Sequence, residues 1–356
     1  MRVGVRRTRV LLGAAAALVL IAVPSVLVWW RGPEWNLVRN AFELVSWHWV
    51  AAALGLNLLS VFARALAWRT VVDQAVQPGP PFGRIFSAYS VGLLGNAALP
   101  GRVGELARVA VLARRMERGR GATATLLGTV FAHRVFDLFP ALVLIAYVLL
   151  TAEIPHWAVT SLVVAAGLGV VLFAFALVGG RIRQHPALHE LGRARRLLST
   201  ARQGLGVMKS PLAAVIAVWF QSLGWFLQLI AVWATMRAFE IDAPLDAAAL
   251  VLLLMNVATV FPLWPGNIGL LQAAVALPLV SYGVAYARGF AYGLGLQMIE
   301  VAVGVGLGLV FLAREGLSFA TLKQMPEAGE AELAEAHESV ETFEADAARS
   351  RARVSR

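Results

Sequence analysis

The sequence contains no cysteine, which excludes disulfides, thiolate-ligated iron–sulfur clusters and thiol catalysis. It is also poor in charge, with 15% charged against 59% hydrophobic residues over 356 positions. A soluble domain carries about 25% charged residues, so that class is excluded. Enzyme signatures are missing too: there is no GxxxxGK[ST] loop for an ATP motor, no GxSxG elbow and no HExxH zinc motif. His185 and His189 have a metal-compatible i, i+4 spacing but no third ligand beside them, so no metal site is expected. The expectation is a non-enzyme without a cofactor.

Long apolar runs take the place of what is absent. A helix needs about 20 apolar residues to cross the hydrocarbon core, and several continuous runs here qualify. Continuous rather than alternating runs point to helices rather than a barrel. The predicted fold class is therefore all-α: a polytopic helical membrane protein. Leu11 to Trp30, preceded by Arg2, Arg6, Arg7 and Arg9, has the basic start of a signal peptide. It ends, however, in Trp29-Trp30-Arg31, an interface anchor rather than a small-residue cleavage site, and reads as a retained span. Further spans are expected at about Val50–Val71, Thr123–Leu150, Val159–Val178, Leu212–Met236 and Phe290–Leu312, about six in all. Asn36 to Trp47, bordered by tryptophans, is expected at an interface.

The net charge of +10 would suggest nucleic acid in a soluble protein. Here the positive-inside rule explains it, and no nucleic-acid partner is expected. Six arginines fall between Arg102 and Arg120, and residues 181–210 hold seven basic residues and one acid. Both stretches are expected on the cytoplasmic side of a plasma membrane, as are both termini. Arg237 and Arg288 are exceptions to the count. Residues 1–315 form the expected membrane domain, with 181–210 as its linker. Residues 316–356, rich in Glu, Ala and Arg without a sustained apolar stripe, read as a disordered tail.

Two segments interrupt the apolar pattern with the same Pro-Gly-x-x-Gly skeleton. "NAALPGRVGELAR" runs from Asn96 to Arg108, and "FPLWPGNIGLLQ" from Phe261 to Gln272. With both termini inside, the parity works if both are re-entrant hairpins, the first entering from the cytoplasm and the second from outside. Irregular backbone at membrane depth is tolerated where protein buries it or where it lines a cavity. Two such breaks in corresponding positions suggest an inverted repeat. In the first, Pro100, Gly101 and Gly104 permit a tight turn, and a half-helix starting near Gly104 would present free N–H groups to an anion. Arg102 adds a planar donor fork suited to phosphate, and Glu105 and Arg108 can pair three residues apart.

Charged residues inside spans form the remaining candidates. In "HRVFD", His133, Arg134 and Asp137 can share one helical face. An Arg134–Asp137 pair is either structural glue or part of a headgroup path, because ions at membrane depth face the bundle interior in pairs. Glu300, with Gln297 one turn away, is either an ion-coupling acid or a hydrogen-bonding partner of that amide. Gly304 and Gly308 form a GxxxG surface for close helix packing.

These motifs together resemble the lysylphosphatidylglycerol synthase transmembrane-region family of flippase-like membrane proteins, over roughly Val10 to Leu312. The family pattern has an Asn followed by P-x-R-x-G-E-x-x-R, matched at Asn96, Pro100, Arg102, Gly104, Glu105 and Arg108. A later R-x-x-D is matched at Arg134 and Asp137, and P-x-x-P-G-G-x-G-x-x-E at Pro262, Pro265, Gly266 and Gly269. Two positions depart: Asn267 replaces the second glycine and Gln272 the acid, for which Glu300 is a candidate replacement. The resemblance implies flippase- or scramblase-like handling of an anionic phospholipid or polyprenyl-phosphate-linked lipid in a bacterial plasma membrane. A membrane-embedded transferase on a lipid-linked substrate is an alternative, as is an accessory subunit of a lipid or glycan synthase. A partner synthase and a second copy of the chain are both left open as partners.

Overall fold

A computed structural model describes residues 33–98, 103–116, 122–154, 159–160, 162–164, 166–168, 171, 210–260, 267–319 and 321. The expected spans at Leu11–Trp30 and, for the most part, Val159–Val178 lie outside these, as do most of the linker and the tail. Every regular element among the described residues is helical. In chain order they are α1 (Trp35–Glu43), α2 (Trp47–Ala75), α3 (Phe82–Ala98), α4 (Gly104–Ala113) and α5 (Ala122–Thr151). There follow α6 (Pro211–Ala238), α7 (Leu245–Val260), α8 (Leu270–Leu279), a 3₁₀ turn (Val280–Tyr282) and α9 (Tyr286–Arg314).

Among the described residues, four helices are long and apolar enough to span a membrane: α2, α5 from Thr125, α6 and α9. At 1.5 Å per residue, 29 residues reach about 44 Å, well beyond the ~30 Å hydrocarbon core. The helices overrun the apolar stretches by about a turn at each end. In α2 those extra turns hold Trp47 and Trp49 at one end and Asp73 and Gln74 at the other, side chains suited to headgroup depth. The two Pro-Gly breaks each separate a pair of shorter helices, α3 from α4 and α7 from α8. With 17 and 10 residues, and 16 and 10, these reach only ~26 and ~15 Å, short of a crossing.

The chain forms two compact units, and each long helix contributes to both. Unit 1 draws on residues up to 58, 141–167 and 226–302; unit 2 draws on 59–140, 168–225 and the residues from 303. In α5 the division falls after Pro140, whose missing N–H interrupts the helical ladder. Each unit thus holds one Pro-Gly-broken helix pair together with part of every long helix.

Unit 1 is built around α7, whose residues 247–252 are all fully buried. Glycines bring α9 against α8: a Cβ on Gly289 would stand 3.0 Å from Ala276 Cα, and one on Gly293 3.1 Å from Gln272 Cα. Buried Tyr292 donates its hydroxyl to Val232 O of α6 at 3.1 Å. The amphipathic α1 buries Val38 and Ala41, and Phe42 packs edge-on against Phe239 of α6. Trp35 and Leu37 stay exposed.

In unit 2, α3 and α4 approach through glycine. A Cβ on Gly95 would lie 2.8 Å from Gly104 Cα, and one on Gly104 2.0 Å from Gly92 O. The GxxxG surface of α9 packs within the chain: Gly308 meets Leu94 and Ser90 of α3, while Gly304 has more room against Leu93. Phe86 stacks edge-on with Phe311, and Ser60 donates to Gly224 O of α6 at 2.7 Å. Glu315, just past α9, accepts from Ser87 Oγ at 2.7 Å and from Arg115 Nε at 3.0 Å.

Candidate functional site

Four charged residues of the PGRVGELAR and HRVFD motifs, Glu105, Arg108, Arg134 and Asp137, converge in unit 2. Glu105 opens α4, and its carboxylate faces two guanidinium groups. Oε1 accepts from Arg134 Nη2 of α5, and Oε2 lies 2.5 Å from Arg108 Nη2 one turn along α4. Arg134 also donates from Nη1 to Asp137 Oδ2 at 3.1 Å. Four residues from two sequence motifs therefore form one chain of charge, Arg108–Glu105–Arg134–Asp137. Side-chain exposure peaks at Arg134, 49%, and falls on both sides, to 14% at Asp137 and through 21% at Glu105 to 4% at Arg108.

The two ends of this chain, Asp137 and Arg108, are held by groups the sequence motifs do not contain. Asp137 Oδ1 accepts from Gln221 Nε2 and, at 2.9 Å, from Trp225 Nε1, both on α6. Gln221 and Trp225 are four residues apart and so share a helical face. The Arg108 guanidinium lies over Trp68 at 4.7 Å and over Tyr89 at 5.5 Å, a cation–π enclosure. Trp68, fully buried on α2, is oriented by its Nε1 donating to Thr129 Oγ1 at 3.1 Å. Arg64, one turn before Trp68, lies over the Trp225 ring at 5.4 Å. Gly224 makes room for it, since a Cβ there would stand 2.7 Å from Arg64 Cγ.

Buried polar atoms remain at the deep end. The Arg108–Glu105 contact is an ion pair by distance but lacks hydrogen-bond angles, so Arg108 Nε and Nη2 donate to no acceptor. Beside them, buried His133 packs its ring edge-on to Tyr89 at 6.2 Å, with Nδ1 unpartnered. Buried donors without acceptors are uncommon, and a charged one costs more than a neutral one.

Asn96 has a role the motif did not foretell. Its Oδ1 accepts from Gly104 N at 3.0 Å, capping α4 from the end of α3. The first N–H of that half-helix is thus already occupied. Pro100, Gly101 and Arg102 lie outside the described residues.

The second motif falls in unit 1, where the polar groups are mostly amides. Gly269 adopts φ 93°, and its N–H donates to Gln272 Oε1 at 2.6 Å. Gln272, fully buried, donates in turn to Gln297 Oε1 at 2.6 Å. Glu300 accepts from Gln228 Nε2 of α6 at 3.2 Å. Asn267, standing where the motif has its second glycine, sits at φ 46° and donates from Nδ2 to Ala258 O at 3.1 Å. Asn is one of the few side chains that enter the left-handed region readily, so this departure preserves the backbone conformation. Pro262, Pro265 and Gly266 lie outside the described residues.

Gln221, Trp225, Trp68, Tyr89 and Arg64 escaped the sequence reading. Gln221 was open to discovery as a polar residue inside an apolar span. The aromatic residues were not, because tryptophan and tyrosine in spans usually mark interfaces or plain packing.

Residues 10–308 match the family described as the lysylphosphatidylglycerol synthase TM region. A UPF0104 membrane protein of Methanocaldococcus jannaschii is 23% identical over 204 residues, covering 55% of this chain and 83% of the relative. A second UPF0104 membrane protein, from Methanothermobacter thermautotrophicus, is 24% identical over 306 residues, covering 76% and 82%. Both organisms are archaea, whereas the family resemblance implied a bacterial membrane.

Proposed function

Since the chain belongs to the lysylphosphatidylglycerol synthase transmembrane-region family, we propose that it is a multi-pass membrane protein handling an anionic lipid in a flippase- or scramblase-like way. The substrate would be a phospholipid or a polyprenyl-phosphate-linked lipid of the plasma membrane. The observation that carries this reading is the chain Arg108–Glu105–Arg134–Asp137, half-exposed at Arg134 and buried at Arg108, amid apolar helices.

Ions in an apolar surround are costly, each about 2.5–3.5 kcal/mol on insertion scales, and a packed hydrophobic alternative is often as stable. Four of them in one network fit a site where partners are exchanged. Arg134 holds two carboxylates at once, and a lipid phosphate arriving at its exposed side can take the place of either. Opening one ion pair while forming another keeps both arginines paired, and the displaced carboxylate retains its other partners, Arg108 for Glu105 or Gln221 and Trp225 for Asp137. In the absence of an ATP-binding motif, transport would be passive, ion-coupled or driven by a partner.

Reconstitution into vesicles holding a fluorescent anionic phospholipid tests the proposal, with bleaching by a membrane-impermeant reductant reporting leaflet exchange. The expected result is exchange above that of protein-free vesicles, slowed at least about tenfold in Arg134→Ala and Asp137→Asn. Equal rates with and without protein, or undiminished rates in both variants, would overturn it.

A further inference from the structure

We propose that the groove between the end of α2 and the start of α6 binds a phospholipid whose headgroup joins a phosphate to a primary ammonium. The proposal needs only the membrane-spanning fold and does not depend on lipid exchange at the Arg108–Glu105–Arg134–Asp137 chain. Both walls of the groove belong to unit 2, and its volume is about 520 Å³, within the ~300–1,000 Å³ usual for ligand sites. The α2 wall runs from Leu66 to Gln74 and the α6 wall from Leu212 to Phe220. Each is about 12 Å long at 1.5 Å per residue.

The lining changes character along that length. Arg69, Asp73 and Ser210 stand toward the helix ends, near headgroup depth, while Leu66, Ile216 and Phe220 stand deeper, where an acyl chain would lie. The two charges are of opposite sign and one helical turn apart. Arg69 Nε donates to Asp73 Oδ2 at 3.3 Å, and both side chains are partly exposed. That bond uses one of the five N–H donors of the guanidinium, so its terminal nitrogens can hold a lipid phosphate while Asp73 accepts from the ammonium. The Phe82 ring, 5.8 Å from the Arg69 guanidinium at the start of α3, steadies it. A groove with one charge of each sign matches a zwitterion, whereas an anionic headgroup would turn its uncompensated charge toward Asp73. A choline headgroup has the same net charge but no N–H to give that carboxylate. The same two helices bring Trp68, Gln221 and Trp225 to the ion chain, so a lipid seated between them braces that site without entering it.

Native mass spectrometry of the full chain in detergent tests this, with phosphatidylethanolamine, phosphatidylcholine and phosphatidylglycerol of identical acyl chains supplied in equal amounts. Phosphatidylethanolamine is expected to be retained about fivefold more than either of the others, as one partly exposed ion pair would give. Asp73→Asn should reduce it to the phosphatidylcholine level, and Arg69→Ala should lower retention of all three. Arg69→Lys, which keeps the charge but not the fork, should fall between wild type and alanine, and it serves if the alanine variant fails to melt cooperatively. Ile216→Trp fills the deeper end from a partly exposed position and should displace all three lipids. Glycerophosphoethanolamine, the same headgroup without acyl chains, should compete at least about tenfold more weakly than the lipid.

Equal retention of the three lipids, or a preference for phosphatidylglycerol, would overturn the headgroup match. Undiminished retention in Ile216→Trp would put the bound lipid elsewhere on the protein and overturn the groove as its site. Glycerophosphoethanolamine competing as well as the lipid would overturn the role of the apolar end. Retention of no lipid by the wild-type chain would mean that the groove is closed to lipid, and the proposal would fall. None of these outcomes bears on exchange at the ion chain, which the vesicle measurement reads separately.

Discussion

Asp137 shows how one residue in this protein is defined by neighbours remote in sequence. Its two oxygens accept from Arg134, Gln221 and Trp225, so the carboxylate is held by charge and by neutral donors together. Trp225→Phe keeps the ring and removes one hydrogen bond to a charged group. The expected loss is about 1.5–3 kcal/mol, read as a lower thermal melting point in detergent, because the bond removed goes to a charged acceptor that keeps only Gln221 on that oxygen. Asn267 offers the opposite kind of test. Since its φ of 46° suits glycine at least as well, Asn267→Gly is expected to lose side-chain interactions, the bond to Ala258 O among them, without backbone strain. Asn267→Val should cost about 1–2 kcal/mol more than that, measured as the difference between the two melting curves, because a β-branched side chain is strained in the left-handed region.

At the scale of elements, the α3–α4 pair depends on absent side chains. Gly104→Ala would place a methyl 2.0 Å from Gly92 O and 2.6 Å from Asn96 Oδ1. The helices must then part, at about 1–3 kcal/mol by the usual cost of overpacking. Because Glu105 and Arg108 ride on α4, lipid exchange in vesicles is expected to fall with stability. The GxxxG surface of α9 divides unevenly. Gly308→Ala is expected to destabilise, with its methyl 2.3 Å from Leu94 Cβ, whereas Gly304→Ala should be nearly neutral, its nearest neighbour being 3.9 Å away. Comparing the two melting points checks this, and equal effects would contradict the packing. The hairpin motif was legible in the sequence as a Pro-Gly break, but the use of Asn96 as a cap was not. A cap reaching across from another helix leaves no local spacing signature.

On the scale of the whole molecule, the lack of cysteine makes topology directly testable. The basic stretch from Arg102 to Arg120 is expected on the cytoplasmic side by the positive-inside rule. A single Met116→Cys variant should therefore react with a membrane-impermeant maleimide only after the cytoplasmic face is opened. Labelling of intact cells or spheroplasts would reverse the assigned orientation. The match over residues 10–308 covers both units, and each unit contains one of the two Pro-Gly breaks.

Composition and pattern alone determined that this is a helical membrane protein, roughly where α2, α5, α6 and α9 run, and where two breaks interrupt the apolar pattern. Those features follow from bilayer thickness and backbone satisfaction, which act on contiguous residues and so leave their mark in local sequence. The pairs Glu105–Arg108 and Arg134–Asp137 were legible for the same reason, being one helical turn apart. Only the tertiary structure joined them through Glu105 and Arg134, set Gln221 and Trp225 on Asp137, and enclosed Arg108 between Trp68 and Tyr89. Contacts between helices depend on which faces meet, and a turn of helix carries no record of the neighbour it will touch.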